Sequence, residues 1–142
     1  MISALLDMHP SLAELLLRVV LGVVFMSHGY PKLFKAPGPA GFAAQLKNIN
    51  VPAPLLFAYV VGSVEFFGGF LVIVGLLTRA ASVLIAINMI VAMWKIKFKT
   101  GLVTKVMEGG WAGGYELDLA LCSIAVSLAL TGPGVFSIDH LV

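Results

Sequence analysis

The stretch from Pro54 to Leu77 constrains this chain more than any other feature: its 24 mostly apolar residues are interrupted by one charge, Glu65. At 1.5 Å rise per residue it is long enough to cross the roughly 30 Å hydrocarbon core of a bilayer. Three more stretches follow the same pattern. They run from about Leu12 to Tyr30, from about Ala80 to Trp94, and from near Tyr115 to about Thr131. Composition agrees, since 60% of the 142 residues are hydrophobic and 11% charged, against roughly 45–50% and 25% for soluble domains. The expectation is an all-α chain, a single transmembrane domain over residues 1–142 built as a four-helix bundle. Short interfacial segments are expected in the first and third loops, where Phe42, Leu46 and Ile49 recur at helical spacing and Trp94, Trp111 and Tyr115 flank the connection.

Turn residues set the expected limits of these spans. Pro31 and the Pro37, Gly38, Pro39 cluster stop the first, and Gly132, Pro133 and Gly134 stop the last. The N-terminal MISALLDMHP has no Lys/Arg-rich leader, so the first span is expected to be retained. Loop charges then orient the bundle. Lys32, Lys35, Lys47, Lys95, Lys97, Lys99 and Lys105 follow the first and third spans, whereas the opposite side holds Arg79, a bias of seven to one. The positive-inside rule places both long loops in the cytoplasm and both termini in the opposite, outer compartment.

Charges within the apolar stretches need a reason, because each costs roughly 2.5–3.5 kcal/mol at mid-bilayer. Counted from the ends of their spans, Arg18, Glu65 and Asn88 fall at comparable depth, so a polar layer is expected in which Arg18 pairs with Glu65 and Asn88 bonds nearby. Helical projection puts Glu14, Arg18, Gly22, Phe25, Gly29 and Lys32 on one stripe, and Ala58, Gly62, Glu65, Gly69 and Val72 on another. Gly22, Gly29, Gly62, Gly68 and Gly69 are the close-packing candidates. On the fourth span Glu116, Ser123 and Ser127 share a face, so His28, Lys32 and Glu116 are expected to cluster at one mouth of the bundle. Cys122, the one cysteine, reads as a packing residue and rules out a disulfide within the chain.

The sequence carries no Walker loop, no HExxH and no nucleophile elbow. No metal site is expected, no nucleic-acid partner, and no covalently bound cofactor; His9, His28 and His140 are scattered, which disfavours a haem. Redox work would therefore need a lipid-phase species such as a quinone, or a partner subunit.

Four segments together resemble the DoxX family of small membrane proteins: LRVVLGVVFMSHGYPKLF at 17–34, GSVEFFGGFLVIVGLLTRAA at 62–81, GGYELDLAL at 113–121 and GPGVFSID at 132–139. The resemblance marks Arg18, His28, Gly29, Lys32, Glu65, Gly68, Gly69, Arg79, Glu116 and Asp139. It implies a four-helix inner-membrane protein tied to quinol oxidase or thiosulfate:quinone oxidoreductase systems or to oxidative-stress resistance, an oxidoreductase subunit working with a redox partner. Two other readings stay open: a non-catalytic assembly or chaperone-like scaffold, and a small transporter working as a homo-oligomer. On the leading reading His28 or Lys32 donates to a carbonyl, Arg18 offsets a developing anion, and Glu65 and Glu116 hold these groups or relay protons.

Overall fold

The computed structural model describes residues 10–98, 101–107 and 110–142. His9 and Lys99 lie outside the described residues, as do the side chains of Lys105 and Trp111. Helix α1 spans Pro10–Leu33, α2 Gly38–Asn48, α3 Pro54–Val74, α4 Thr78–Ala92 and α5 Glu116–Thr131. A π-helical turn, Met93–Lys97, prolongs α4, and a short 3₁₀ turn, Ile138–His140, follows α5. In the third loop a short antiparallel hairpin, β1 Lys105–Met107 with β2 Gly110–Ala112, pairs Val106 with Trp111. It is the one strand pairing among the described residues.

Segments Leu12–Leu33, Pro54–Val74 and Thr78–Lys97 are long and apolar enough to cross a bilayer. Helix α5, with 16 residues, is about 24 Å long, but it runs antiparallel to α4 along its whole length. Arg79 at the start of α4 donates to the Ala129, Leu130 and Thr131 carbonyls at the end of α5, and Lys97 beyond the other end of α4 bonds Asp118 in the first turn of α5. The two long side chains reach over the difference in helix length. The result is a helical membrane bundle in which α1 packs on α3, α3 on α4, α4 on α5 and α5 back on α1. Amphipathic α2 lies against α3, burying Ala43 and Leu46 with Ala58.

Helix limits moved for local reasons. Helix α1 runs through Pro31 to Leu33, because a proline inside a membrane helix removes one hydrogen bond that neighbouring groups can make good. Helix α3 stops at Val74, three residues earlier than expected, where Gly75 adopts φ 74° and its N–H returns to the Leu71 carbonyl. A side chain at Gly75 would collide with the Arg18 guanidinium.

The inward stripe of α3 is as expected: its buried residues are Ala58, Gly62, Glu65, Gly69 and Val72. Between α1 and α3 the backbones touch at two levels. A Cβ on Gly69 would lie 2.8 Å from the Gly22 carbonyl oxygen, and one on Gly29 would lie 2.5 Å from the Phe66 amide nitrogen. At Gly62 the crowding comes from the Leu33 side chain, which can move, and at Gly68 a Cβ would meet Ile85 at an ordinary 3.6 Å, so that glycine is not required for close packing. Gly29→Ala is expected to wedge the two helices apart at a cost of about 1–3 kcal/mol, while Gly68→Ala stays near wild type; thermal unfolding in detergent micelles measures the contrast.

The central core joins Leu21 and Phe25 of α1, Val72 of α3, Ile85 and Met89 of α4, and Leu121, Cys122, Ala125 and Leu128 of α5. Cys122 is buried among them, as a packing residue should be. On α5 the buried face is Asp118, Leu121, Cys122, Ala125 and Leu128. Glu116 and Ser123 are exposed and Ser127 half-buried, which overturns the inward face expected from those three residues.

Candidate functional site

Arg18 and Glu65 do not pair. Packing of Gly22 against Gly69 fixes the register of α1 on α3, and that register sets Arg18 opposite Val72 and Glu65 opposite the turn holding Gly29 and Lys32. Depth counted from span ends misses this offset, because the first two turns of α1 extend past the end of α3.

Arg18 is 1% exposed, and its hydrogen bonds among the described residues all go to backbone carbonyls. Its Nε donates to the Val72 carbonyl at 2.9 Å and Nη2 to Ile73 at 2.7 Å, while Nη1 donates to Pro133 at 2.9 Å and Phe136 at 2.7 Å. The first two acceptors are among the carbonyls that the end of a helix leaves unpaired. Arg18 thus closes the end of α3 and ties it to the segment after α5. Asp139 does the reciprocal work for α4, accepting the Leu77 and Thr78 amides at 2.7 and 2.8 Å, where a carboxylate suits the positive end of the helix dipole. With Arg79 at the end of α5, three charges are spent on helix ends here. Burial alone would raise the pKa of Asp139, but the Thr78 and Leu77 N–H groups and the nearby Arg18 charge outweigh it and hold the carboxyl below the usual carboxylate range. A depressed folded pKa stabilises above the unfolded value near 3.9 and is lost as pH falls through the folded one. Acid unfolding below about pH 4 should therefore be shallower in Asp139→Asn, as thermal unfolding against pH would show.

The partner of Glu65 is Lys32. Its Nζ lies 2.6 Å from both Glu65 carboxylate oxygens, with side-chain exposures of 23% for Lys32 and 8% for Glu65. Asn88 Nδ2 donates to Glu65 Oε1 at 3.2 Å, and the Lys32 ammonium also sits 4.5 Å from the centre of the Phe42 ring on α2. Lys32 is therefore an interior residue rather than a loop charge. It stands on the expected α1 stripe, two residues beyond the expected helix end.

This cluster borders a cavity of about 210 Å³ that also touches Phe25, His28, Met89, Lys97, Asp118 and Leu121. On the far wall Lys97 Nζ bonds Asp118 Oδ2 at 2.5 Å. Each ion pair ties together two successive long helices: Lys32–Glu65 joins α1 to α3, and Lys97–Asp118 joins the end of α4 to α5. The cavity thus lies between two helix pairs, with a lysine and a carboxylate on each side. Roughly 150 Å³ already admits a benzene ring, so the space suits a substituted six-membered ring.

His28 is exposed at the rim. Its Nδ1 is 2.8 Å from the Val24 carbonyl, and a carbonyl can only accept, so Nδ1 carries a hydrogen and Nε2 is the nitrogen turned to other partners. The ring lines both the cavity and a surface groove beside Lys35 and Gln45. Glu116 is not part of this site; its Oε2 accepts the Thr104 amide at 2.7 Å and steadies the third loop. Asp118, two residues on, takes the inward place. Of the expected residues His28, Lys32, Glu65 and Asn88 gather at the cavity, whereas Arg18 and Glu116 stand apart. Lys97 and Asp118 join unannounced, although Asp118 heads the apolar spacing Leu121, Cys122, Ala125.

The chain matches the DoxX family model over residues 13–97. It is 34% identical over 131 residues to "Putative oxidoreductase CatD" of Bacillus subtilis, covering 92% of this chain and 87% of that protein. It is 35% identical over 130 residues to the uncharacterized membrane protein Rv3486 of Mycobacterium tuberculosis, with 87% and 77% covered. Against the inner membrane protein YqjF of Escherichia coli the identity is 28% over 132 residues, with 89% of each covered. No solved structure matches the chain.

Proposed function

Since the chain belongs to the DoxX family, we propose that it is a membrane redox subunit or accessory protein that binds the head group of a quinone between its two ion pairs. The observation that carries this reading is the Lys32–Glu65–Asn88 cluster, held inside a membrane bundle and facing an open cavity instead of packed side chains. Buried ionisable groups in a membrane are costly and are retained where they serve a ligand or proton path. The residues present suit a ring with an oxygen at each edge. Lys32 and Asn88 can donate at one side and Lys97 at the other, Glu65 and Asp118 can accept from a hydroxyl, and Phe25, Met89 and Leu121 supply the apolar walls. A bound quinone would carry electron pairs and protons in the membrane phase. The chain's own part is to bind and orient it, with His28 Nε2 placed at the rim where protons can exchange with water. Arg18 has no part in this site. The oxidoreductase name of the Bacillus subtilis relative accords with a redox role, and the electron donor or acceptor would come from a partner subunit.

Titration of the protein in lipid nanodiscs with a water-soluble benzoquinone tests the reading. Saturable binding, weakened at least tenfold by Lys32→Met together with Glu65→Leu, is expected; absence of saturable binding would reject it. The proposed orientation keeps all four long helices as spans, puts the lysine-rich loops in the cytoplasm and the end of the chain outside. A tag after Val142 should then be reached by an impermeant label in intact cells, and protection of the tag would reverse the orientation.

A further inference from the structure

The Lys32–Glu65–Asn88 cluster has a second open side. A separate chamber of about 140 Å³ touches the same three residues and is otherwise walled almost wholly by apolar groups, chiefly Phe42 and Leu46 of α2, Phe57 and Val61 of α3, and Val91 and Ile96 along α4 and its π-helical end. Its other charged wall residue, Lys95, sits with its ammonium 5.1 Å from the centre of the Trp94 ring.

Two features distinguish this chamber from a packing defect. The first is continuity. Lys32, Glu65, Asn88, Ala92 and Ile96 line both spaces, and Ala92, one helical turn after Asn88, presents only a methyl group at the junction. The second is the surface on which it opens. Phe57, Val91 and Ile96 are 40, 48 and 49% exposed on the outside of the bundle, and all three lie within the segments Pro54–Val74 and Thr78–Lys97 that are long and apolar enough to cross a bilayer. A group leaving the polar cluster by this route would pass along the apolar walls Phe57, Val61, Val91 and Ile96.

We infer that this second chamber is the subsite for a hydrocarbon chain, so that the ligand of the polar cluster is a lipid-phase ring bearing an apolar tail rather than a free aromatic metabolite. The inference rests on the proposed head-group site and adds the tail, its route and its walls. The ring lies against Lys32, Glu65 and Asn88, and the chain runs past Ala92 beneath α2 and leaves between α3 and α4. Helix α2, held by Ala43 and Leu46 on Ala58, forms the lid of this passage.

The test compares two probes in nanodiscs, with concentrations expressed per membrane lipid: a benzoquinone carrying a ten-carbon chain and the same ring without it. Wild type is expected to bind the chained probe at least tenfold more tightly. Val61→Trp fills the chamber and should abolish that advantage while changing the affinity of the chainless ring less than twofold. Val91→Trp fills it from the opposite wall and serves if Val61→Trp does not fold, folding being judged by the thermal unfolding midpoint. Equal affinity of the two probes for wild type would overturn the tail subsite and leave the head-group site standing. Parallel loss of both probes in the filled variants would also overturn it. Displacement of the chained probe by phospholipid alone, with no effect of the chainless ring, would assign the chamber to a bilayer acyl chain instead. Failure of wild type to bind either probe would reject the head-group site and this inference together.

Discussion

Replacing Arg18 by leucine is expected to cost at least about 4 kcal/mol of stability, four acceptors at about 1 kcal/mol or more each, the largest loss from any single side chain outside the cavity. The guanidinium supplies four hydrogen bonds to carbonyls of Val72, Ile73, Pro133 and Phe136. Without it those acceptors stay away from water, each at roughly 1–3 kcal/mol where no substitute donor moves in. Arg18→Lys keeps the charge but offers donors from a single point, which cannot span acceptors on two segments as the planar fork does. It should recover only part of the loss. Both variants are to be read by thermal unfolding and by the yield of monodisperse protein in detergent. An Arg18→Leu protein as stable as wild type would show that the end of α3 and the segment after α5 are not held by this residue.

A second large effect is expected at the ion pair, where the single variants should be worse than the double. Glu65→Leu leaves the Lys32 ammonium facing Phe42 and the cavity with no carboxylate, and Lys32→Met leaves a largely buried carboxylate with Asn88 as its remaining donor. Removing one partner of a buried pair costs roughly 3–5 kcal/mol, whereas replacing both by apolar groups of similar size is often close to neutral. Lys32→Met with Glu65→Leu should accordingly unfold near the wild-type midpoint while losing quinone binding. That combination separates folding from function in one protein. Additive losses in the cycle would show that the two groups are not coupled.

Patterns carried within one helix are legible in the amino-acid sequence. The stripe Ala58, Gly62, Glu65, Gly69 and Val72 follows from 3.6 residues per turn, and it coincides with the buried face of α3. Gly22 and Gly69 stood out because small residues beside a charge permit helix approach, and they do meet. Pairings between helices were not legible in the same way, since they depend on the offset of α1 against α3. Lys32, read partly as an orientation signal, took the place given to Arg18. The role of Arg18 was hidden because its partners are backbone carbonyls, and a carbonyl has no residue type to betray it.

At the start of α5 the information was present but masked by a stronger-looking pattern. Glu116 with Ser123 and Ser127 suggested a polar inner face, yet a polar stripe can equally face outward. The spacing Asp118, Leu121, Cys122, Ala125 marks the face that apolar burial selects. The hairpin of the third loop was not legible, because a pair of three-residue strands is set by backbone pairing more than by any side-chain period. The segments Gly75–Arg79 and Ser137–Asp139, marked by family resemblance, acquire a physical meaning: one ends α3 beside Arg18, the other closes the start of α4.

An experimental structure solved with a chained quinone in a lipid environment decides whether the space between the two ion pairs holds a quinone head group. Density for the ring is expected between α1, α3, α4 and α5, with one oxygen within hydrogen-bond distance of Lys32 or Asn88 and the other near Lys97. An empty cavity at saturating quinone, with the ring found only at the bilayer surface, would contradict that placement.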